Sequence, residues 1–239
     1  MQPLLSAEGL YKTYGHGDIF RDVTFTLDAG ETLGLFGMSG SGKSTLGRCL
    51  LGLERLSGGR VLIAGEDVFR VSSRRLREIR PMMQMLFQHP EVSMDPRMRL
   101  VESVTEPLVF HRKMDRDAAF AELLPLVRAV GLRPDQFFCY PSQLSGGELQ
   151  RAMMVRVYSL SPRLIVADEP TSMLDMSVQA QILMLMRDLQ RERGTACVFV
   201  SHDPEVMRVM CDRVGVLDRG TFRLMDMDAF SMYAGGLRE

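Results

Sequence analysis

Residues 37–45 read GMSGSGKST, and two different periodicities meet there. Before them, ETLGLFG is an unbroken apolar run of strand length. After them, KSTLGRCLLGL sets Leu46, Leu50 and Leu53 on one helical face. The loop fits G-x-x-x-x-G-K-[ST] in the strand-to-helix setting that this pattern requires. Its glycines let backbone N–H groups wrap phosphate oxygens without side-chain clash, and the helix start adds its positive end. Gly37, Met38, Ser39, Gly40, Ser41, Gly42, Lys43, Ser44 and Thr45 form the expected cradle. Lys43 reaches the β- and γ-phosphates, and the Ser44 hydroxyl binds magnesium. A buried strand feeding a helix this way points to an α/β chain.

The rest of the chain keeps that rhythm, with one break. Residues 1–30 carry alternating segments such as VTFTLDAG, which read as antiparallel strands closed by a glycine turn. Short strands follow in GRVLIAGEDV. Over residues 90–160, Pro90, Pro96 and Pro107 interrupt the start. DRDAAFAELLPLVRAVGL is then helical, with Phe120, Leu123, Val127 and Val130 along one face and Gly131 as its stop. This stretch reads as a helical insertion. The strand RLIVAD then leads to the helix VQAQILMLMRDLQRERG, striped by Val178, Ile182, Leu185 and Leu189. The strand TACVFVS leads to DPEVMRVMC, where Asp203 caps a helix and Pro204 suits its first turn. Apolar strands alternating with helices imply a mostly parallel sheet covered on both faces.

Length and composition narrow the classes. The 239 residues suit one large domain, or a core with a subdomain, and 46% hydrophobic with 25% charged residues is ordinary for a globular protein. A net charge of -1 argues against nucleic acid as a partner. The four cysteines, Cys49, Cys139, Cys197 and Cys211, form no C-x-x-C pair and read as reduced thiols of a cytosolic protein. MQPLLSAEGLYKTYG lacks the pattern of a signal peptide. No run approaches the roughly 20 apolar residues of a membrane span. The 19 methionines read as adaptable core filler, or else as a malleable docking surface.

Other short stretches carry chemistry. LIVADEP sets Asp168 and Glu169 at the end of a buried strand, where two carboxylates are costly unless used. Asp168 is placed to hold magnesium and Glu169 to polarise an attacking water. In LSGGELQRA, Ser145 and Glu148 fit a capping box, and Gly146 and Gly147 leave the first turn's N–H groups bare. Such a helix mouth is a second anion site. One phosphate cradle plus one further mouth implies completion by another copy, two chains sandwiching two nucleotides. His202 in VFVSHD and Gln88 in MLFQHP are unremarkable alone.

In this order the motifs resemble the ATP-binding cassette ATPases over essentially the whole chain. The resemblance implies a P-loop NTPase fold with a RecA-like core, an N-terminal antiparallel β subdomain and a helical signature subdomain. It makes residues 1–239 one domain: 1–89 and 161–239 form the β subdomain and core, and 90–160 the helical part. It implies ATP and magnesium as ligands. Tyr14 becomes the adenine-stacking ring, with Tyr11 as a competitor. Gln88 senses magnesium and couples to the membrane partner. Ser145, Gly146 and Gly147 act across the dimer, Asp175 is the D-loop residue of the nucleotide site, and His202 contacts the γ-phosphate. The chain departs from the pattern at Glu148, where glutamine is usual, and a negative charge there weakens ATP-driven closure.

FQHPEVSMDPRMRLVESVTEPL and DEPTSMLDMSVQAQIL resemble the ATPases of peptide and nickel importers. The implied partners are two membrane permeases, a second ATPase subunit, identical or different, and an external solute-binding protein. The implied place is the cytoplasmic face of the membrane. The chain lacks the long C-terminal extension of many peptide-type members, which tilts the expected cargo slightly toward nickel or another metal–ligand complex, with peptides kept at nearly even weight. The alternative is a soluble ATPase without a transport role, such as an accessory protein of phosphonate metabolism.

Overall fold

The apolar runs pair into one ten-stranded sheet of two characters. The computed structural model describes residues 2–15 and 17–236, leaving Met1, His16 and 237–239 outside. The first two strands, β1 (Leu5–Tyr14) and β2 (Gly17–Leu27), pair antiparallel. After β3 (Thr32–Phe36) and the helix α1 (Lys43–Leu50) come β4 (Gly58–Ile63) and β5 (Glu66–Asp67), which add to the β1 edge. Helix α2 (Ser73–Ile79) precedes β6 (Met83–Leu86). Four helices follow: α3 (Pro90–Ser93), α4 (Leu100–Arg112), α5 (Arg116–Ala129) and α6 (Gly146–Tyr158). Then β7 (Leu164–Asp168), α7 (Met176–Arg193), β8 (Ala196–Ser201), α8 (Pro204–Met210), β9 (Arg213–Asp218), β10 (Thr221–Asp226) and α9 (Met227–Gly235) complete the chain. The strand order is β5-β4-β1-β2-β10-β9-β3-β8-β7-β6, parallel from β9 to β6.

Period two explains how the parallel part is covered. Along β7 and β8, Leu164, Val166, Ala196, Val198 and Val200 face one apolar cluster, which includes Leu46, Cys49 and Leu50 of α1. Ile165, Ala167, Cys197 and Phe199 face the other, which includes α4, α5, α6 and α7. Every residue of β7 and β8 is buried, so these strands show no polar alternation in sequence.

Two expectations change. Helix α1 stops at Leu50, because Gly52 turns the chain at φ +61, and Leu53 is 49% exposed rather than part of the stripe. Pro107 does not interrupt its segment but sits inside α4. Proline there cannot donate to the carbonyl of Ser103. The Arg156 guanidinium of α6 donates to that carbonyl instead and also pairs with Glu106 at 2.7 Å. Gly131, at φ +74, does follow the end of α5.

Candidate nucleotide site

The cradle follows from where β3 stops. All five β3 residues are buried, and the chain leaves the sheet at Gly37. A Cβ at Gly37 would lie 2.3 Å from the Leu217 carbonyl oxygen and 2.8 Å from Ser41 Oγ. At Gly42, with φ +99, it would lie 2.5 Å from Ile19 Cγ2. Lys43 opens α1, and its Nζ donates to the carbonyls of Gly37 and Met38, both at 2.8 Å. Burial lowers its pKa, while Glu169 and Asp168 pull the other way. Ser41 Oγ is buried with no partner among the described residues. Met38, Ser39 and Gly40 form an exposed rim, and Thr45 Oγ1 accepts from Arg48 at 3.4 Å. A lysine held by carbonyls alone, an orphan hydroxyl and an uncapped helix start are the fittings of a phosphate site.

Beside it stand the two carboxylates. Asp168 ends β7 buried; desolvation raises its pKa, and a hydrogen bond from Ser44 Oγ at 2.9 Å opposes the rise. Glu169 turns into the left-handed region at φ +44, where a non-glycine residue is strained, and its N–H donates to the Val200 carbonyl at 3.1 Å. That turn aims its carboxylate at two partners. Oε1 lies 3.3 Å from His202 Nδ1, and Oε2 accepts from Gln88 Nε2 at 3.3 Å. Gln88 also donates to Ser172 Oγ at 3.1 Å, and Ser172 donates back to the Glu169 carbonyl at 3.1 Å. His202 is exposed just past β8, where Asp203 caps α8 by accepting from Glu205 N at 2.8 Å. Lys43, Ser44, Gln88, Asp168, Glu169 and His202 thus collect just past the carboxyl ends of β3, β6, β7 and β8. Hydroxyl, amide and carboxylate oxygens beside a phosphate cradle suit magnesium, which takes few protein ligands.

The signature residues lie apart. Ser145 caps α6, and Glu148 Oε2 accepts from Ser145 N at 2.9 Å, so the capping box is reciprocal. Among the described residues, no hydrogen bond joins Ser145, Gly146 or Gly147 to the Lys43 cluster. Gly147 is needed for packing, because a Cβ there would lie 2.7 Å from Val178 Cγ1; at Gly146 the nearest atom, Leu174 Cδ2, is 3.5 Å away. Asp175 caps α7 through Ser177 N and Val178 N at 3.1 and 3.0 Å. Tyr14 is 50% exposed, with Lys12 Nζ 4.5 Å from its ring centre. Tyr11, 43% exposed, lies over Gly58, where a Cβ would lie 2.0 Å from its Cε1. Two participants escape sequence reasoning, Ser172 and Gln136, because a serine or glutamine in a loop carries no pattern of its own.

Residues 20–172 match the ABC transporter family. The di/tripeptide transport ATP-binding protein DppF of Pseudomonas aeruginosa (strain UCBPP-PA14) is 41% identical over 214 residues, 90% of this chain and 66% of that protein. The oligopeptide transport ATP-binding protein OppF of Salmonella typhimurium is 41% identical over 83% of this chain and 60% of its own length. The glutathione import ATP-binding protein GsiA of Salmonella choleraesuis is 43% identical over 83% of this chain and 32% of its own length. The chain thus spans about one third to two thirds of these curated relatives. Among solved structures, the post-hydrolysis dimer of the ATP-binding cassette MJ0796 with ADP and Pi superposes with a TM-score of 0.83 at 28% identity, covering 93% of this chain and 98% of that one. On its motifs, its ATPase-cassette fold and these matches, the chain belongs to the ABC transporter family.

Proposed function

We propose that the chain is the ATP-hydrolysing subunit of a peptide importer, working as one cassette of a two-cassette dimer. One observation carries the reading: Glu169, strained at φ +44, is held between His202 and Gln88 beside a lysine-based phosphate cradle. The cradle's N–H groups and Lys43 bind the phosphates, and Tyr14 stacks on adenine. Ser44 and Asp168, with Gln88, would hold magnesium, which when bound neutralises charge on the phosphate oxygens. Glu169 exchanges one of its two partners for the attacking water and polarises it. His202 then meets the γ-phosphate. The mouth of Ser145, Gly146 and Gly147 serves the partner's nucleotide, consistent with its separation from the cluster.

ATP can drive such a cycle only by stabilising the closed dimer over the open one. The helical part, residues 90–160, passes that change through Gln88 to permeases at the cytoplasmic face, and an external binding protein supplies cargo. The names of the relatives favour peptides among the two cargo classes the sequence left open. Among the described residues no helix is long and apolar enough to cross a membrane, so in this reading the path across the membrane lies outside them. Replacing Glu169 by Gln is expected to trap an ATP-bound dimer on gel filtration and to abolish labelled-peptide uptake in cells. A variant that stays monomeric with ATP, or cells that import peptide normally, would remove this reading.

A further inference from the structure

The departure from the family pattern at Glu148 is tied into a chain of hydrogen bonds whose direction is fixed at both ends. Arg133 N–H can only donate, and it donates to Gln136 Oε1 at 2.8 Å. That sets the amide of the buried Gln136, so its Nε2 donates to Glu148 Oε1 at 2.6 Å. The other oxygen, Oε2, accepts from Ser145 N at 2.9 Å and from Ser145 Oγ at 2.8 Å. Donors therefore face both ends of residue 148. A carboxylate satisfies them all. A glutamine there turns its own NH2 against a donor, either Gln136 or Ser145.

The same geometry decides what Ser145 shows to the mouth. Its one hydroxyl hydrogen points at Glu148, and one lone pair faces Glu148 N at 3.4 Å. The outward side is a lone pair, the wrong polarity for a phosphate oxygen. To donate to phosphate, Ser145 must give up its bond to a charged acceptor, which holds a donor about twice as strongly as a neutral one. We propose that Glu148, fixed by Gln136, is a positioning residue that keeps the Ser145 hydrogen turned from the mouth and raises the ATP concentration needed for two cassettes to close. This rests on the reading that the Ser145 mouth meets the partner's nucleotide.

Exchanging the two side chains isolates the effect. In Gln136→Glu with Glu148→Gln, residue 136 accepts at both ends, residue 148 donates to it, and a neutral amide oxygen holds Ser145. Full-length chains carrying Glu169→Gln are compared for Tm and for the ATP concentration that half-saturates dimer formation. Glu148→Gln alone is expected to lower Tm by about 2–6 °C, and the exchange to restore it, because the buried side chain at position 136 is again matched to residue 148. The exchanged pair should close at about three- to tenfold lower ATP, and adding Ser145→Ala should erase that gain. An unchanged ATP requirement in the exchanged pair overturns the proposal. So does a gain that survives Ser145→Ala, which would make the effect one of charge alone. If no chain associates with ATP, the reading of the mouth itself falls.

Discussion

Lys43 shows how one residue can be stable in the fold and still poised for a ligand. Its ammonium is buried among its own loop's carbonyls, and desolvation pushes its pKa down. A phosphate would exchange those neutral acceptors for charged ones, worth roughly 1.5–3 kcal/mol for a hydrogen bond to a charged group. Lys43→Ala should therefore weaken ATP binding by about 10- to 100-fold in calorimetry. Binding at wild-type strength would remove the lysine from the cradle. Glu169 shows the converse, a residue strained by the fold. A left-handed carboxylate-bearing residue costs on the order of 1–3 kcal/mol, and here the Val200 carbonyl, His202 and Gln88 hold it.

At the scale of elements, the paired glycines of LSGG turn out to have different reasons. Gly147 lets α6 approach α7, since a Cβ there meets Val178 at 2.7 Å, whereas Gly146 has ordinary space. Overpacking costs typically 1–3 kcal/mol, so Gly147→Ala should lower Tm by about 2–8 °C, and Gly146→Ala by less than about 2 °C. Equal losses in thermal melts would contradict the packing role. The sequence pattern could not separate the two, because both leave bare N–H groups at a helix start. What was legible was local: the strand, loop and helix around Lys43, the reciprocal box of Ser145 and Glu148, and the cap at Asp203. The cap that Asp175 supplies to α7 was not. What else was hidden joins distant segments. Ser172 is linked to Gln88, Gln136 to Glu148, and Arg156 to the carbonyl that Pro107 leaves free in α4.

At the scale of the molecule, the site collects where parallel strands end, as open α/β sheets dictate. Two apolar clusters on opposite faces of the sheet hold those ends in place, and three of the four thiols report on their integrity. Cys49 lies in one cluster, Cys197 and Cys211 in the other. Burial pushes Cys49 up to about 11 and Cys197 up to about 12, and holds Cys211 well above its usual range. Cys139, in the loop before α6, is partly exposed. In the folded chain at pH 7.5 a maleimide should label Cys139 alone, and all four thiols should react in guanidinium. The unfolded chain loses its thiol protons near pH 9, before the folded chain does. The thiol contribution to stability is thus complete below pH 9 and lost as pH rises toward 11–12. Chemical melts should show the loss in that window, with Cys49 becoming reactive alongside it. Rapid labelling of Cys49 or Cys197 in the folded chain at pH 7.5 would mean that the faces of the sheet are open, and that the cradle at the end of β3 lacks the rigid support on which the site depends.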